Sequence, residues 1–172
     1  MTEAYRVPKR KVPVEVVLAG RSPLLVDLYL SDCAETHAGP ERPSDLLNGP
    51  EPFLPASDRA GSVLFLHRDG LISVSVDAQH EQADASEPAG VAAAGQSTAI
   101  GVEVVLEGGM TIAGEINQMM PEGQRRLQDV LNLASRFLIL WSGGRVHLIN
   151  KRRIVRVATL PQSREAVVGA HR

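Results

Sequence analysis

Part of this chain is written twice, and the repetition limits its fold more than any other feature. Val14-Glu15-Val16-Val17-Leu18 returns as Val102-Glu103-Val104-Val105-Leu106, 88 positions later. Asp45-Leu46-Leu47-Asn48 is echoed by Asp129-Val130-Leu131-Asn132, and Phe53-Leu54 by Phe137-Leu138, both 84 apart. Val63-Leu64-Phe65-Leu66-His67 is echoed by Val146-His147-Leu148-Ile149-Asn150, 83 apart. Anchors that keep one order while their offset drifts indicate a duplication with loop insertions, which divides the chain into two units. Units of about 60 residues bury only about 60% of their unfolded surface. They therefore gain by packing on each other or on further copies.

Both units read as short strands. In the first, Val12, Val14, Val16 and Leu18 alternate at period two, the pattern of a half-buried strand. Gly20 to Pro23 turns the chain into a returning strand, Leu24–Leu30. A loop rich in Gly and Pro follows, then a short helix over Ser44–Asn48 with Ser44 as its cap. Strands are expected around Phe53-Leu54, over Ser62–Leu66 and over Leu71–Val76. The second unit repeats this with strands over Ile100–Leu106 and Thr111–Met119 and a helix over Gln124–Leu133. Three more strands follow, over Phe137–Trp141, Val146–Asn150 and Ile154–Leu160. Gly114 sits inside a strand, which points to a sharp bend or a close backbone approach. Five short strands and one short helix per unit predict a small, strongly bent barrel.

The organisation expected is a basic arm at 1–11, a barrel at 12–76, a disordered acidic linker at 77–97, a second barrel at 98–160 and a tail at 161–172. The linker has almost no large apolar side chains, which is the composition of disorder. Its span of roughly 25 Å lets the units touch without forcing them to. Four basic and nine acidic residues in 12–76 oppose eight basic and five acidic in 98–160. The acidic first unit is therefore expected to dock on the basic second, within the chain or between chains, as a pseudo-symmetric pair or a small ring. A net charge of −2 excludes a globally basic nucleic-acid binder. One cysteine, Cys33, cannot make an intrachain disulfide and fits a reducing compartment. The basic N-terminal residues are not followed by an apolar stretch, and no apolar run approaches the ~20 residues of a membrane span. A cytoplasmic protein without signal peptide or membrane contact is expected.

The strand and turn pattern resembles the Sm and Sm-like superfamily of SH3-type small five-stranded barrels. One motif is similar to Val102–Ile116, an alternating strand with a Gly turn and a second Gly. Another is similar to Val146–Val157 and, in the first unit, to Val63–Val74, two hydrophobic strands around a tight turn. The chain also resembles uncharacterised bacterial domains with a DxLN, Phe-Leu and LINK-like signature. The resemblance implies two tandem barrels, each with its helix between the second and third strands, that associate through edge strands. It also implies RNA contact at the turn Lys151–Arg153. The family's RNA pocket has an aspartate and an asparagine four apart, whereas Asp129 and Asn132 are three apart. The family's helix usually precedes the first strand.

Arg145, Lys151, Arg152, Arg153 and Arg156 form the densest cationic group, and phosphate contacts need such cations. Stacking surfaces are scarce, since aromatic residues are only 3% of the chain. Trp141 and Phe137 are expected in the core. Cys33 and His37 share a loop but lack the further ligands a zinc ion needs. The sequence has no nucleophile elbow, phosphate loop, HExxH or dinucleotide fingerprint. The expectation is a non-catalytic protein-interaction or assembly module, with no cofactor and no metal. Its partner is another protein or a further copy bound through edge strands. The alternative is single-stranded RNA binding through the basic turn.

Overall fold

The computed structural model describes residues 9–82, 98–118 and 126–161. The first half holds β1 (Lys9–Leu18), β2 (Leu24–Ser31), helix α1 (Pro43–Asn48), β3 (Phe53–Ser57), β4 (Val63–His67) and β5 (Leu71–Asp77). The second holds β6 (Thr98–Leu106), β7 (Thr111–Gln118), helix α2 (Leu127–Leu131), β8 (Phe137–Ser142), β9 (Arg145–Asn150) and β10 (Ile154–Thr159). Single 3-10 turns join β4 to β5 (Arg68–Gly70) and β9 to β10 (Lys151–Arg153). Each helix lies between the second and third strands of its half, as expected.

The two halves match ladder by ladder. Val14 pairs with Val26 and Val102 with Gly114. Asp27 pairs with Ser57 and Glu115 with Trp141. Phe53 pairs with His67 and Phe137 with Asn150. Val74 pairs with Val16 and Val157 with Val104. Even the bulge recurs: Ile72 is the extra residue of β5 opposite Val17 and Leu18, and Val155, 83 positions later, is the extra residue of β10 opposite Val105 and Leu106. Gly20 and Gly108, 88 apart, both take positive φ in the first hairpin turn, which favours glycine. Gly114 is where β8 comes close: a Cβ there would collide with the Trp141 carbonyl oxygen.

The expectation of two five-stranded barrels is corrected. All ten strands form one open antiparallel sheet in the order β10-β6-β7-β8-β9-β5-β1-β2-β3-β4. The halves are spliced where β5 pairs with β9, from Ser73↔Ile149 to Asp77↔Arg145. An edge strand presents a row of unpaired N–H and C=O groups, and pairing with another edge satisfies them.

The expected boundaries shift as well. Lys9, Arg10 and Lys11 belong to β1, where they pair with Ser31, Leu30 and Tyr29 rather than forming an arm. Asp77 closes β5, and residues 78–80 form a 3-10 turn that Asp77 caps through the Gln79 N–H. Glu81, read as linker, is buried and accepts the Ser44 N–H at 2.7 Å. Burial raises its carboxyl above the usual range, against the Ser44 bonds that lower it. Ser44 is not the cap of α1. The cap is Arg42, whose N–H donates to Asp45 Oδ2 at 2.9 Å, and Pro43 takes the first helical position that suits it. Residues 1–8, 83–97, 119–125 and 162–172, which carry most of the expected arm, linker and tail, lie outside the described residues.

Two apolar clusters form the core, and each borrows from the other half. The first is built on β1 to β5 and also holds Phe137, Val146 and Leu148. The second is built on β6 to β9 and also holds Ile72. Shared cores predict one cooperative unfolding transition. Leu148→Ala empties a fully buried site and is expected to cost about 2–5 kcal/mol. The fluorescence of Trp141, from the second half, and the far-UV circular dichroism of the whole sheet should shift together in denaturant. Two separated transitions would contradict a shared core.

Candidate interaction interface

The joint between the halves combines a strand ladder, exchanged core side chains and side-chain hydrogen bonds. Strand side chains alternate between faces, so the side of β9 that faces away from its own core faces the core of the first half. Val146 and Leu148 occupy that side and are buried there. Ile72 makes the reverse journey from β5 into the second core. Polar groups then pin the register. Asn48 Oδ1 accepts the Phe137 N–H at 2.9 Å, and Asn150 Nδ2 donates to the Leu71 carbonyl at 2.9 Å. Ser75 Oγ and His147 Nδ1 meet at 2.7 Å. A hydroxyl at that distance from an imidazole has the spacing of a nucleophile and its base. Ser75 is buried and faces His147 across the β5–β9 ladder, so the pair ties the two halves together.

Among the described residues the ion pairs between the halves are those of Asp69, whereas those of Glu103 and Glu107 lie within the second half. Asp69 Oδ1 accepts from Arg136 Nη1 at 3.0 Å, with Arg152 Nη1 3.7 Å from Oδ2. Arg153 donates through Nη2 to the Asp69 carbonyl at 2.7 Å and through Nη1 to Glu107 at 2.8 Å. Arg156 reaches Glu103 at 3.1 Å. Arg145 Nη2 contacts the Ser75 carbonyl at 3.5 Å.

Lys151 has the most specific role of the five. Its Nζ donates to the Leu133 carbonyl at 2.9 Å, to Ser135 Oγ at 3.1 Å and to the Val130 carbonyl at 3.4 Å. It thus satisfies backbone acceptors at the end of α2, where a helix leaves carbonyls unpaired and favours positive charge. Burial pushes its ammonium pKa down. Arg68, 83 positions earlier, does the same for α1: Nη2 donates to the Leu46 carbonyl at 3.3 Å and Nη1 to that of Gly49. The acceptors correspond too, since Leu46 and Gly49 stand 84 before Val130 and Leu133. Sequence reasoning saw a cluster of cations at 151–153. The structure gives each of the five candidate cations a partner within the chain.

The other concavity of note holds about 310 Å³. Glu15, Asp27, Asp58 and Asp77 line it, with Arg59 and Arg145 among them, and its lining has no Ser, Cys or His. Cys33 is exposed, and His37 Nε2 bonds to Asp45 Oδ2 at 2.7 Å. Among the described residues no three His, Cys, Asp or Glu side chains converge as metal ligands. Nor is any helix among them long and apolar enough to cross a membrane.

The two ends of the sheet are different. Strands β4 and β10 each lack a neighbour on one side, and apolar side chains reach solvent from these ends, Phe53 from β3, Val63 and Phe65 from β4 and Val155 from β10. Phe53 is 56% exposed, Val63 62%, Phe65 68% and Val155 67%. Their counterparts at the joint, Phe137, Val146, Leu148 and Ile72, are 1%, 0%, 0% and 6% exposed. The same strand positions are covered in one place and bare in the other. Covering such a side chain is worth up to about 1.5–3 kcal/mol. No protein-family model, curated protein or solved structure matches the chain.

Two outcomes follow from this geometry. Lys151→Met should destabilise the fold by about 1–2 kcal/mol, because it strips donors from half-buried carbonyls. Lys151→Arg should recover most of that loss, as Arg68 does the equivalent work; chemical denaturation of the three proteins checks it. The second outcome concerns pH. Burial first, and then the neighbouring Arg145 charge, push the His147 imidazole below its ordinary 6.5, with Glu15 pulling the other way. The unfolded chain therefore takes up this proton first as the pH falls. The His147 contribution is complete above pH 6.5 and declines below it until the folded imidazole also protonates. His147→Gln should lose that step and leave those of His37 and His80, as seen in melting temperatures from pH 8 to 5.

Proposed function

We propose that this chain is a non-catalytic assembly module that works through the edges of its sheet. In this reading the two halves are tandem Sm-like units. They have already made one edge-to-edge joint with each other, and they keep the corresponding two edges open. The observation that carries the reading is the inversion of burial between joint and ends. Phe53, Val63, Phe65 and Val155 are bare where Phe137, Val146, Leu148 and Ile72 are covered. Large apolar side chains along an unpaired edge invite strand addition, and contiguous apolar surface of this kind marks interaction sites. An exposed lone cysteine is consistent with the cytoplasmic placement.

Single-stranded RNA binding at Lys151–Arg153 draws less from the geometry. Lys151 is turned onto helix carbonyls, and Arg152, Arg153 and Arg156 each face a carboxylate. A phosphate backbone would have to displace these partners before gaining any contact.

The test is particle mass against concentration by light scattering. The chain should exceed its 18.5 kDa and approach it only on dilution. Phe65→Asp or Val155→Asp should hold it at the single-chain mass with its circular dichroism unchanged. A single-chain mass at every concentration would overturn assembly through these edges. Retained assembly in both variants would place it elsewhere.

A further inference from the structure

The geometry points to a second copy of this chain as the occupant of the open edges: β4 of one chain pairs with β10 of the next, head to tail, in the register of β9 with β5. This rests on the assembly reading and goes beyond it by fixing the partner, the polarity and the residues that meet.

The template lies inside the molecule. At the joint, Val74 faces Leu148, Ser75 faces His147 and Val76 faces Val146. The offset of 83 that relates the fourth and fifth strands of the halves turns these into Val157 with Phe65, Ala158 with Leu64 and Thr159 with Val63. The polar Ser75·His147 pair is thus replaced by an apolar Ala158·Leu64 pair. Val63 and Phe65 would enter the second core as Val146 and Leu148 enter the first. Phe53 would follow Phe137, and Val155 would follow Ile72 in the other direction.

The hydrogen-bond pins have counterparts too. Asn132 is exposed just after α2, where Asn48 ends α1, and it is placed to accept the Phe53 N–H of the next chain. The Asp69–Arg136 ion pair has no counterpart, because its positions become Arg152 and Pro52. The joint between chains is therefore weaker and more apolar than the joint within one. Two like edges, β4 on β4 or β10 on β10, would bring together surfaces that the internal joint never pairs. A head-to-tail contact uses two different patches and can continue from chain to chain, closing a ring or extending.

The experiment uses two full-length chains in which Cys33→Ser removes the native thiol. One also carries Leu64→Cys and the other Ala158→Cys. Under mild oxidation a covalent dimer is expected in the mixture and from neither chain alone. A chain carrying both substitutions should give a ladder of covalent oligomers. Adding Phe65→Asp to the Leu64→Cys chain should abolish the dimer. A dimer from either single-cysteine chain alone, while light scattering still shows assembly, overturns the head-to-tail arrangement and leaves edge assembly standing. Loss of both the dimer and the assembly overturns both.

Discussion

The ladder between β5 and β9 is what the rest of the structure depends on, because it lets each half finish the core of the other. A unit of this size has too little interior to be secure alone. Val146, Leu148 and Phe137 supply one core and Ile72 the other. The paired backbone groups are satisfied by the same contact. The sheet is therefore continuous where two separate barrels were expected, and the boundary between the halves is among the most buried parts of the chain.

The local structure was largely legible in the sequence. Period-two alternation placed β1 and β6, the Gly turns placed the hairpins, the Asn48-Gly49 stop placed α1, and the helical spacing of Leu127, Val130 and Leu131 placed α2. Gly114 marks a bend or a close approach in the sequence, and the structure selects the second, with the Trp141 backbone against it. The joint was not legible. An edge strand and a central strand with the same alternation look alike until it is known what lies beside them, so Val63-Leu64-Phe65 and Val146-His147-Leu148 read as equals. Glu81 was hidden for a related reason. It follows β5 at the start of a stretch whose average composition is that of a linker, and its one partner, the Ser44 N–H, lies 37 positions earlier.

The cations show how a sequence motif can mislead about function. A run such as Lys151-Arg152-Arg153 reads as a surface for anions because the partners that neutralise it are far away in sequence. Lys151 serves carbonyls that become acceptors only once α2 has ended beside it, and Arg153 bonds to Asp69, 84 positions earlier. The signal that separated the readings was present: Arg68 occupies the matching turn position of a half with a net acidic composition. A cation kept in both halves despite opposite charge is more readily explained by a shared helix end than by a shared ligand.

The central claim is that one type of joint acts inside the chain and again between chains. Hydrogen–deuterium exchange across a range of protein concentrations tests it most directly. The account predicts that β5 and β9 are protected at every concentration, while β4 and β10 gain protection together as concentration rises. It would be contradicted if β4 and β10 exchanged freely at all concentrations, or if β5 and β9 exchanged as fast as they do.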